Sequence, residues 1–212
     1  MSGESKDGNK PLGLYYCPNV IDEKTAKKII EWLDKNVWSP LTIKVDTGRL
    51  VQQYGARFDY STYKLMGDVP PIPDELTSLV NILVETCKNL GVELLNTPNQ
   101  VIVNSYKPGE GISPHTDWKT FGPVIGCFTL VSSGVMEFSK ERKPTYSLMV
   151  EPNSLYIMSG EARHDWKHSM PARKIDVVDG ERVSRGRRVS VTFRYATEKN
   201  ICRPLKLLVE DA

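Results

Sequence analysis

The sequence predicts a mainly β domain of the α+β class, a double-sheet jelly roll with N-terminal flanking helices. Two helical segments precede Thr97, and about eight short strand-like runs separated by Pro and Gly follow it. The clearest runs are 101–106, 124–131, 145–150, 154–159 and 188–196. Helices followed by many short strands favour two packed sheets with the helices against one of them.

Each helical segment has one apolar face. Asp22 can cap a first helix that ends near Lys35, with its apolar positions at Ala26, Ile29, Ile30 and Leu33. Pro73 and Asp74 begin a second helix that Gly91 ends, with its apolar positions at Leu76, Leu79, Val80, Leu83 and Cys87. We expect both faces to pack against a sheet.

The composition is that of an ordinary globular protein, with 40% hydrophobic and 25% charged residues and a net charge of +2. No apolar run approaches the roughly 18 residues of a membrane span, and the polar start MSGESKDGNK lacks a secretory signal. The four cysteines lie far apart without ligand spacing, which predicts reduced thiols. These features predict an intracellular protein, in the cytoplasm or nucleus, with no membrane partner.

Basic residues cluster just before the last strand-like run. The segment from Arg163 to Arg188 holds eight of them, interrupted by four acidic residues. Such a cluster could follow a phosphate backbone. On charge alone, however, a solvated loop is the more common interpretation.

The chain has only three histidines, and His115 lies two residues before Asp117. Side chains at i and i+2 of an extended segment point the same way, so both could bind one ion. His164 or His168 would supply a third ligand. Two imidazoles and one carboxylate, with other positions open, form the facial triad of non-haem Fe(II) oxygenases. The H-x-D motif alone is also compatible with an exposed turn.

The run 188–194 places polar residues on one face of a strand, in the order Arg188, Ser190, Thr192 and Arg194. If that face is buried, it is costly without an anionic ligand, and arginine pairs bidentately with carboxylates. The two arginines lie roughly 20 Å apart along the strand, so inward-leaning side chains could hold both ends of a small diacid. Asn104 and Tyr106 share a face and could donate to the same diacid. A solvent-facing edge strand is the alternative.

Together these motifs resemble the AlkB family of Fe(II)- and 2-oxoglutarate-dependent dioxygenases. The similarity runs from NSYKPGEGISPHTD (104–117) through GEARHDWKH (160–168) to RVSVTFR (188–194), and weakly back to QYGARFDYS (53–61). The middle segment is similar to the branch whose animal members modify wobble uridines of tRNA. The chain shows neither the RNA-recognition domain nor the methyltransferase domain of those animal enzymes.

The resemblance implies a role for each polar residue of these motifs. The iron ligands would be His115, Asp117 and His168, because His168 rather than His164 matches the distal position. Arg188 would pair with the far carboxylate of 2-oxoglutarate and Arg194 with the carboxylate near the metal. The residues that assist binding of this co-substrate would be Asn104, Tyr106 and Ser190.

The substrate implied by the resemblance is a nucleic acid, RNA or DNA. Bacterial DNA-repair members carry an acidic residue two positions after the iron-binding aspartate, where this chain has Lys119. That difference argues against repair of 1-methyladenine lesions. Trp118 could stack on a base, and Arg57 and Phe58 lie in the segment that matches a substrate-facing strand. Phosphates could be bound by Arg173, Lys174, Arg182 and Arg185.

The implied reaction consumes O2 and 2-oxoglutarate, demethylates or hydroxylates a modified base, and releases succinate and CO2. The implied organisation is a flexible lead (1–13), a helical support and substrate-lid region (14–98) and a double-stranded β-helix catalytic core (99–212), in a monomer. Two alternatives stay open: a protein side-chain hydroxylase or demethylase of the same fold, and a non-catalytic jelly-roll binding module.

Overall fold

The computed structural model describes residues 9–40, 48–59, 62, 64–66, 71–196 and 201–202. Its larger sheet contains, in spatial order, β1 (Leu14–Cys17), β11 (Ser154–Met158), β8 (Ile125–Leu130), β15 (Arg188–Arg194), β6 (Gln100–Tyr106), β3 (Leu50–Gly55) and β2 (Ser39–Pro40). The smaller sheet contains β10 (Tyr146–Val150), β9 (Gly134–Ser139), β12 (Lys167–Met170) and β7 (Ile112–His115). These two sheets form the predicted jelly roll.

Two small sheets flank the jelly roll. One is the hairpin of β13 (Ile175–Val178) and β14 (Glu181–Ser184). The other joins β4 (Arg57–Asp59), β5 (Lys64–Met66) and β16 (Ile201–Cys202), with β16 parallel to β5. The β4 strand follows β3 almost directly, so this sheet extends from the edge region of the larger one.

Both predicted helices are confirmed, and they pack on the outer face of the larger sheet. Helix α1 (Glu23–Lys35) begins where Asp22 Oδ1 accepts a hydrogen bond from the Thr25 amide at 2.9 Å. Helix α2 (Thr77–Asn89) follows a 3-10 turn, Asp74–Leu76. A third helix, α3 (Gly160–His164), was not predicted, because five residues are too few for a periodic apolar pattern.

The core has two layers, and β15 contributes to both. Val189, Val191 and Phe193 pack in the layer beneath the helices. The alternate residues of β15 face the smaller sheet, and every residue of the strand is buried. The alternative of a solvent-facing edge strand is therefore wrong, since β15 pairs with β6 on one side and β8 on the other.

Some sequence predictions fall partly outside the described residues. The flexible lead was predicted over residues 1–13, and residues 1–8 of it lie outside the described residues. Its last two residues are held by the fold, because the carbonyls of Leu12 and Gly13 accept hydrogen bonds from the amides of Ala162 and Ser159 at 2.9 and 2.8 Å. The domain boundaries stay a prediction.

The cysteine and membrane predictions concern described residues. Cys17, Cys87 and Cys127 are free thiols. Among the described residues, no helix has the length and apolar character needed to cross a membrane.

A glycine allows α2 to lie close to the larger sheet. A Cβ at Gly126, on β8, would lie 2.4 Å from Cδ1 of Leu83 on α2. Leu83 is itself buried in the core layer beneath the helices, so it has little room to move. The close contact between α2 and the sheet therefore depends on glycine, which has no side chain, at position 126.

We expect Gly126→Ala to lower the free energy of unfolding by about 1–3 kcal/mol, because overpacking a dense core forces side chains or backbone to shift. Urea denaturation measures this. Gly122→Ala is the control, since a Cβ there would meet Tyr195 at an ordinary 3.5 Å. Equal losses in the two variants would mean that the α2 contact is not tight.

Candidate active site

The pairing of β7 with β12 places two histidines side by side. His115 on β7 lies directly opposite His168 on β12, and their ring centroids are 4.3 Å apart. Gly111, just before β7, permits this approach, because a Cβ there would lie 2.1 Å from the carbonyl oxygen of Met170. Asp117 follows β7 by two residues. Donor atoms of the two histidines and Asp117 all lie within 4.8 Å of one another.

The other histidine does not join this cluster. His164 is exposed at the end of α3, whereas His168 is buried. The Nδ1 atom of His115 lies 2.9 Å from the carbonyl oxygen of Ser113. Because a carbonyl only accepts, this contact makes Nδ1 the protonated nitrogen and leaves Nε2 with a lone pair for a metal.

Asp117 is buried yet ionised. Burial would raise the pKa of its carboxyl group, but the positive charge of Arg194 opposes this most strongly and the pKa is held at about 2. Arg194 Nη2 donates to Asp117 Oδ1 at 2.5 Å. The other carboxylate oxygen, Oδ2, has no hydrogen-bond partner among the described residues and lies 3.7 Å from His168 Nε2.

The two imidazoles of this cluster are neutral. Burial and repulsion by His115 lower the pKa of His168 to about 3, although Asp117 opposes the change. Burial also lowers the pKa of His115. Metal ligands must be deprotonated, and a carboxylate with an unpartnered oxygen beside two neutral imidazoles is the donor set of non-haem iron sites. The residues present therefore fit Fe(II).

A small cavity, with a volume of about 40 Å³, lies between the two main sheets beside the cluster. The three clustered residues line it together with all five residues predicted for 2-oxoglutarate, which are Asn104, Tyr106, Arg188, Ser190 and Arg194. The period-2 alternation of β15 and β6 explains this, because the residues named share the face that looks toward the smaller sheet.

Arg188 lies in this cavity without an acidic partner. It is only 3% exposed, and it forms no ion pair with any described residue. Its Nη2 donates to Thr129 Oγ1 at 2.8 Å, its guanidinium lies 5.8 Å from the ring centroid of Tyr106, and its Nε has no hydrogen-bond partner. A buried guanidinium without a counter-charge is costly, so this part of the cavity fits a carboxylate.

Sequence reasoning missed several polar residues of this region. Thr129 and Tyr156 belong to the inward faces of β8 and β11, and the period-2 pattern of those strands could have indicated them. Arg49 is buried and its Nε donates to Asn104 Oδ1 at 2.9 Å, yet no motif marks it. Gln100 pairs with Arg194 across the strands and is fully buried, with neither side-chain amide atom hydrogen-bonded in the described structure.

The four residues predicted to face the substrate lie in two different segments, one after Asp117 and one on β4. Trp118, 50% exposed, and the exposed Lys119 directly follow Asp117, although neither lines the cavity itself. Arg57 is exposed on β4, two residues after Gly55, which pairs with Gln100 at the Arg194 end of the sheet. Phe58 lies on the same strand, and its side chain falls outside the described residues.

The basic cluster before β15 contributes less free charge than its composition indicated. Arg185 is buried and donates to both carboxylate oxygens of Asp176, at 2.6 and 2.7 Å. The prediction that Arg185 binds phosphate is therefore wrong, because its charge is neutralised inside the fold. Arg173 is committed to Glu137. Of the four residues predicted to bind phosphate, Lys174 and Arg182 are exposed.

Comparison with known proteins places the chain in a family. Residues 13–194 match the family model of the 2OG-Fe(II) oxygenase superfamily. The chain is 35% identical over 197 residues to uncharacterized protein L905 of Acanthamoeba polyphaga mimivirus, covering 89% of this chain and 87% of that protein. It is 33% identical over 183 residues to tRNA (carboxymethyluridine(34)-5-O)-methyltransferase alkbh8 of Xenopus tropicalis, covering 84% of this chain but 28% of that protein.

A solved structure shares the fold. The solved structure of OsALKBH1 superposes with a TM-score of 0.64 at 13% identity, covering 88% of this chain and 97% of that one. The resemblance seen in the motifs is confirmed by the family model and the relatives. The chain belongs to the 2OG-Fe(II) oxygenase superfamily and is an AlkB-type dioxygenase, an oxidoreductase that uses Fe(II) and 2-oxoglutarate.

Proposed function

We propose that this dioxygenase oxidises a modified base in a single-stranded or loop region of a nucleic acid. The observation that carries the proposal is one cavity in which a His-Asp-His cluster, with donor atoms within 4.8 Å, lies beside the buried Arg188 and Arg194. The Xenopus relative is named for a tRNA nucleotide, which supports RNA as the substrate class. Its methyltransferase activity is not carried over, since this chain spans 28% of it.

His115, Asp117 and His168 would hold the iron. With O2 and 2-oxoglutarate, iron supplies the oxidising power that converts a substrate C–H bond to C–OH while 2-oxoglutarate becomes succinate and CO2. The protein supplies placement. Arg194 holds one oxygen of Asp117 and thereby directs the other toward the imidazoles, and the Ser113 carbonyl orients the ring of His115.

The co-substrate would lie along β15. Arg188, with Thr129 and Tyr106 beside it, would bind the carboxylate farther from the metal. Arg194 lies at the opposite end of the same strand, in contact with Asp117, and would meet the carboxylate nearer the metal. Asn104, held by Arg49 at 2.9 Å, and Ser190 would complete the polar wall between the two arginines.

The substrate would approach past Trp118 and Lys119. A half-exposed indole next to a metal ligand offers a stacking surface for an unpaired base, and the nearby lysine offers a charge for phosphate. A target in a duplex would have to be flipped out of the stack. On an N-methyl group the hydroxylated product breaks down to formaldehyde and the free base, whereas on a carbon atom the hydroxyl group remains.

The metal assignment predicts that His115→Ala, Asp117→Ala and His168→Ala each abolish tight Co(II) binding and succinate formation, because each removes one of only three protein ligands in the cluster. His164→Ala is the matched control and should keep both, since His164 is exposed and outside the cluster. Calorimetry and a succinate assay measure the two properties. Loss of metal binding in His164→Ala with retention in His168→Ala would reverse the assignment.

The co-substrate assignment predicts that Arg188→Ala weakens 2-oxoglutarate binding by about 2–5 kcal/mol, the cost of truncating one partner of a buried charge pair. Arg187→Ala is the control. Its side chain is paired with Asp34 at 2.6 Å on the outside of the fold, so co-substrate affinity should not change. Calorimetric titration of the metal-loaded protein gives both values, and an unchanged affinity in Arg188→Ala would show that no carboxylate binds there.

The substrate assignment predicts that Lys119→Gln lowers the slope of log affinity against log salt concentration by about one for oligonucleotide binding, because each phosphate contact releases counterions. Trp118→Ala should instead weaken binding at every salt concentration, because stacking contributes about 1–3 kcal/mol per base. Lys88→Gln, on the helix side of the larger sheet, is the control.

Turnover decides between nucleic acid and protein. The full chain is incubated with Fe(II), 2-oxoglutarate and ascorbate, together with modified RNA, modified DNA or peptide pools, and the products are identified by mass spectrometry. We expect an oxidised or demethylated nucleoside. Binding that is insensitive to salt, with succinate formation stimulated only by peptides, would replace this proposal with side-chain hydroxylation of a protein.

A further inference from the structure

Arg163 on α3 holds the segment that carries Asp117. Its Nη1 donates to the carbonyl oxygen of Asp117 at 3.0 Å. Its Nη2 donates to the carbonyls of Trp118 and Phe121 at 2.9 and 3.2 Å, and its Nε to that of Gly122 at 3.2 Å. One side chain therefore binds four carbonyl groups of residues 117–122.

The environment of Arg163 is unusual for an arginine. The residue is 2% exposed and forms no ion pair with any carboxylate among the described residues. Its hydrogen bonds go to backbone carbonyls of an irregular segment. Of these, the Trp118 carbonyl also accepts from the Phe121 amide at 3.1 Å. A planar guanidinium can donate in several fixed directions at once, and no other side chain offers the same fork.

The rest of the fold fixes this segment mainly at its far end. The Gly122 amide donates to the Tyr195 carbonyl at 2.7 Å, and Phe121 pairs with Ala196 just after β15. At the near end, Arg194 holds the carboxylate of Asp117. The backbone of Asp117 and Trp118 is held by Arg163.

We propose that Arg163 is a positioning residue that keeps residues 117–122 in one conformation before the metal binds. In that conformation the Asp117 carboxylate faces the two imidazoles, while the side chain of Trp118, the next residue, is half-exposed. Arg163 thus links the place of a metal ligand to the place of a substrate-facing side chain, although it contacts neither metal nor substrate. The inference rests on the proposed role of Asp117 as a metal ligand.

The first test is Arg163→Lys, which keeps the charge but offers a single nitrogen that cannot reach four carbonyls. We expect Co(II) affinity to fall roughly ten- to hundredfold, the usual effect of losing a group that orients a ligand. The control is Arg185→Lys, because Arg185 is also a buried arginine but binds Asp176 and the Pro171 carbonyl. That variant should lose thermal stability and keep its metal affinity.

The second test needs no variant. In the metal-free wild-type chain, the amide of Phe121, which donates to the Trp118 carbonyl that Arg163 also holds, should exchange slowly with deuterium, because the segment is already ordered. Fast exchange that becomes slow only when Co(II) is added would overturn the proposal, since the metal would then order the segment. Equal metal affinities in Arg163→Lys and wild type, or equal losses in the Arg163 and Arg185 variants, would also overturn it.

These outcomes separate the inference from the function it rests on. If the wild-type chain binds no Co(II), the proposed metal site fails first. If the wild type binds Co(II) and Arg163→Lys binds it equally well, the metal site stands and only the role of Arg163 fails.

Discussion

Arg194 and Asp117 form an ion pair inside the jelly roll, and the organisation of the candidate site depends on it. Removing two charges from water is expensive, and their attraction offsets that cost only when the geometry is good. Here a 2.5 Å hydrogen bond joins Nη2 to Oδ1, and the pKa of Asp117 is held at about 2. The pair also leaves Oδ2 unsatisfied beside His168. A metal ion would satisfy that oxygen.

The two-sheet architecture brings the charges of this pair together. Asp117 follows β7 in the smaller sheet, whereas Arg194 ends β15 at the centre of the larger one. Because side chains alternate along a strand, β15 gives its apolar residues to the layer beneath the helices and its arginines to the space between the sheets. The helices thus cover one face, and the opposite face is left for a polar cavity.

Much of this could be predicted from the sequence. The alternation of Arg188 with Arg194 is a local pattern that strand geometry turns into positions. The spacing of His115 and Asp117 also indicated one shared site, although Asp117 lies beyond the end of β7 and is held there by Arg163 and Arg194. The pairing of His115 with His168 could not be derived in this way, because it depends on two four-residue strands too short to show a period. Only the similarity to known motifs selected His168 over His164.

Other features could not be predicted from the sequence because they depend on which side chains become buried on folding. Arg185 belongs to a basic cluster in the sequence, but in the folded chain its charge is neutralised by an ion pair with Asp176. Arg163 belongs to the same cluster and instead binds four backbone carbonyls, for which no side-chain pattern exists. Composition alone cannot distinguish an arginine that meets solvent from one that holds a loop.

The polar cavity combines a metal-binding cluster with two arginines suited to a diacid. Both properties can be measured together by anaerobic titration of 2-oxoglutarate into the Fe(II)-loaded chain, followed by visible absorption and calorimetry. We expect equimolar binding of iron and 2-oxoglutarate, a visible charge-transfer band, and much weaker 2-oxoglutarate binding without metal. Binding of 2-oxoglutarate with the same affinity in the presence and absence of Fe(II), and with no band, would contradict this expectation.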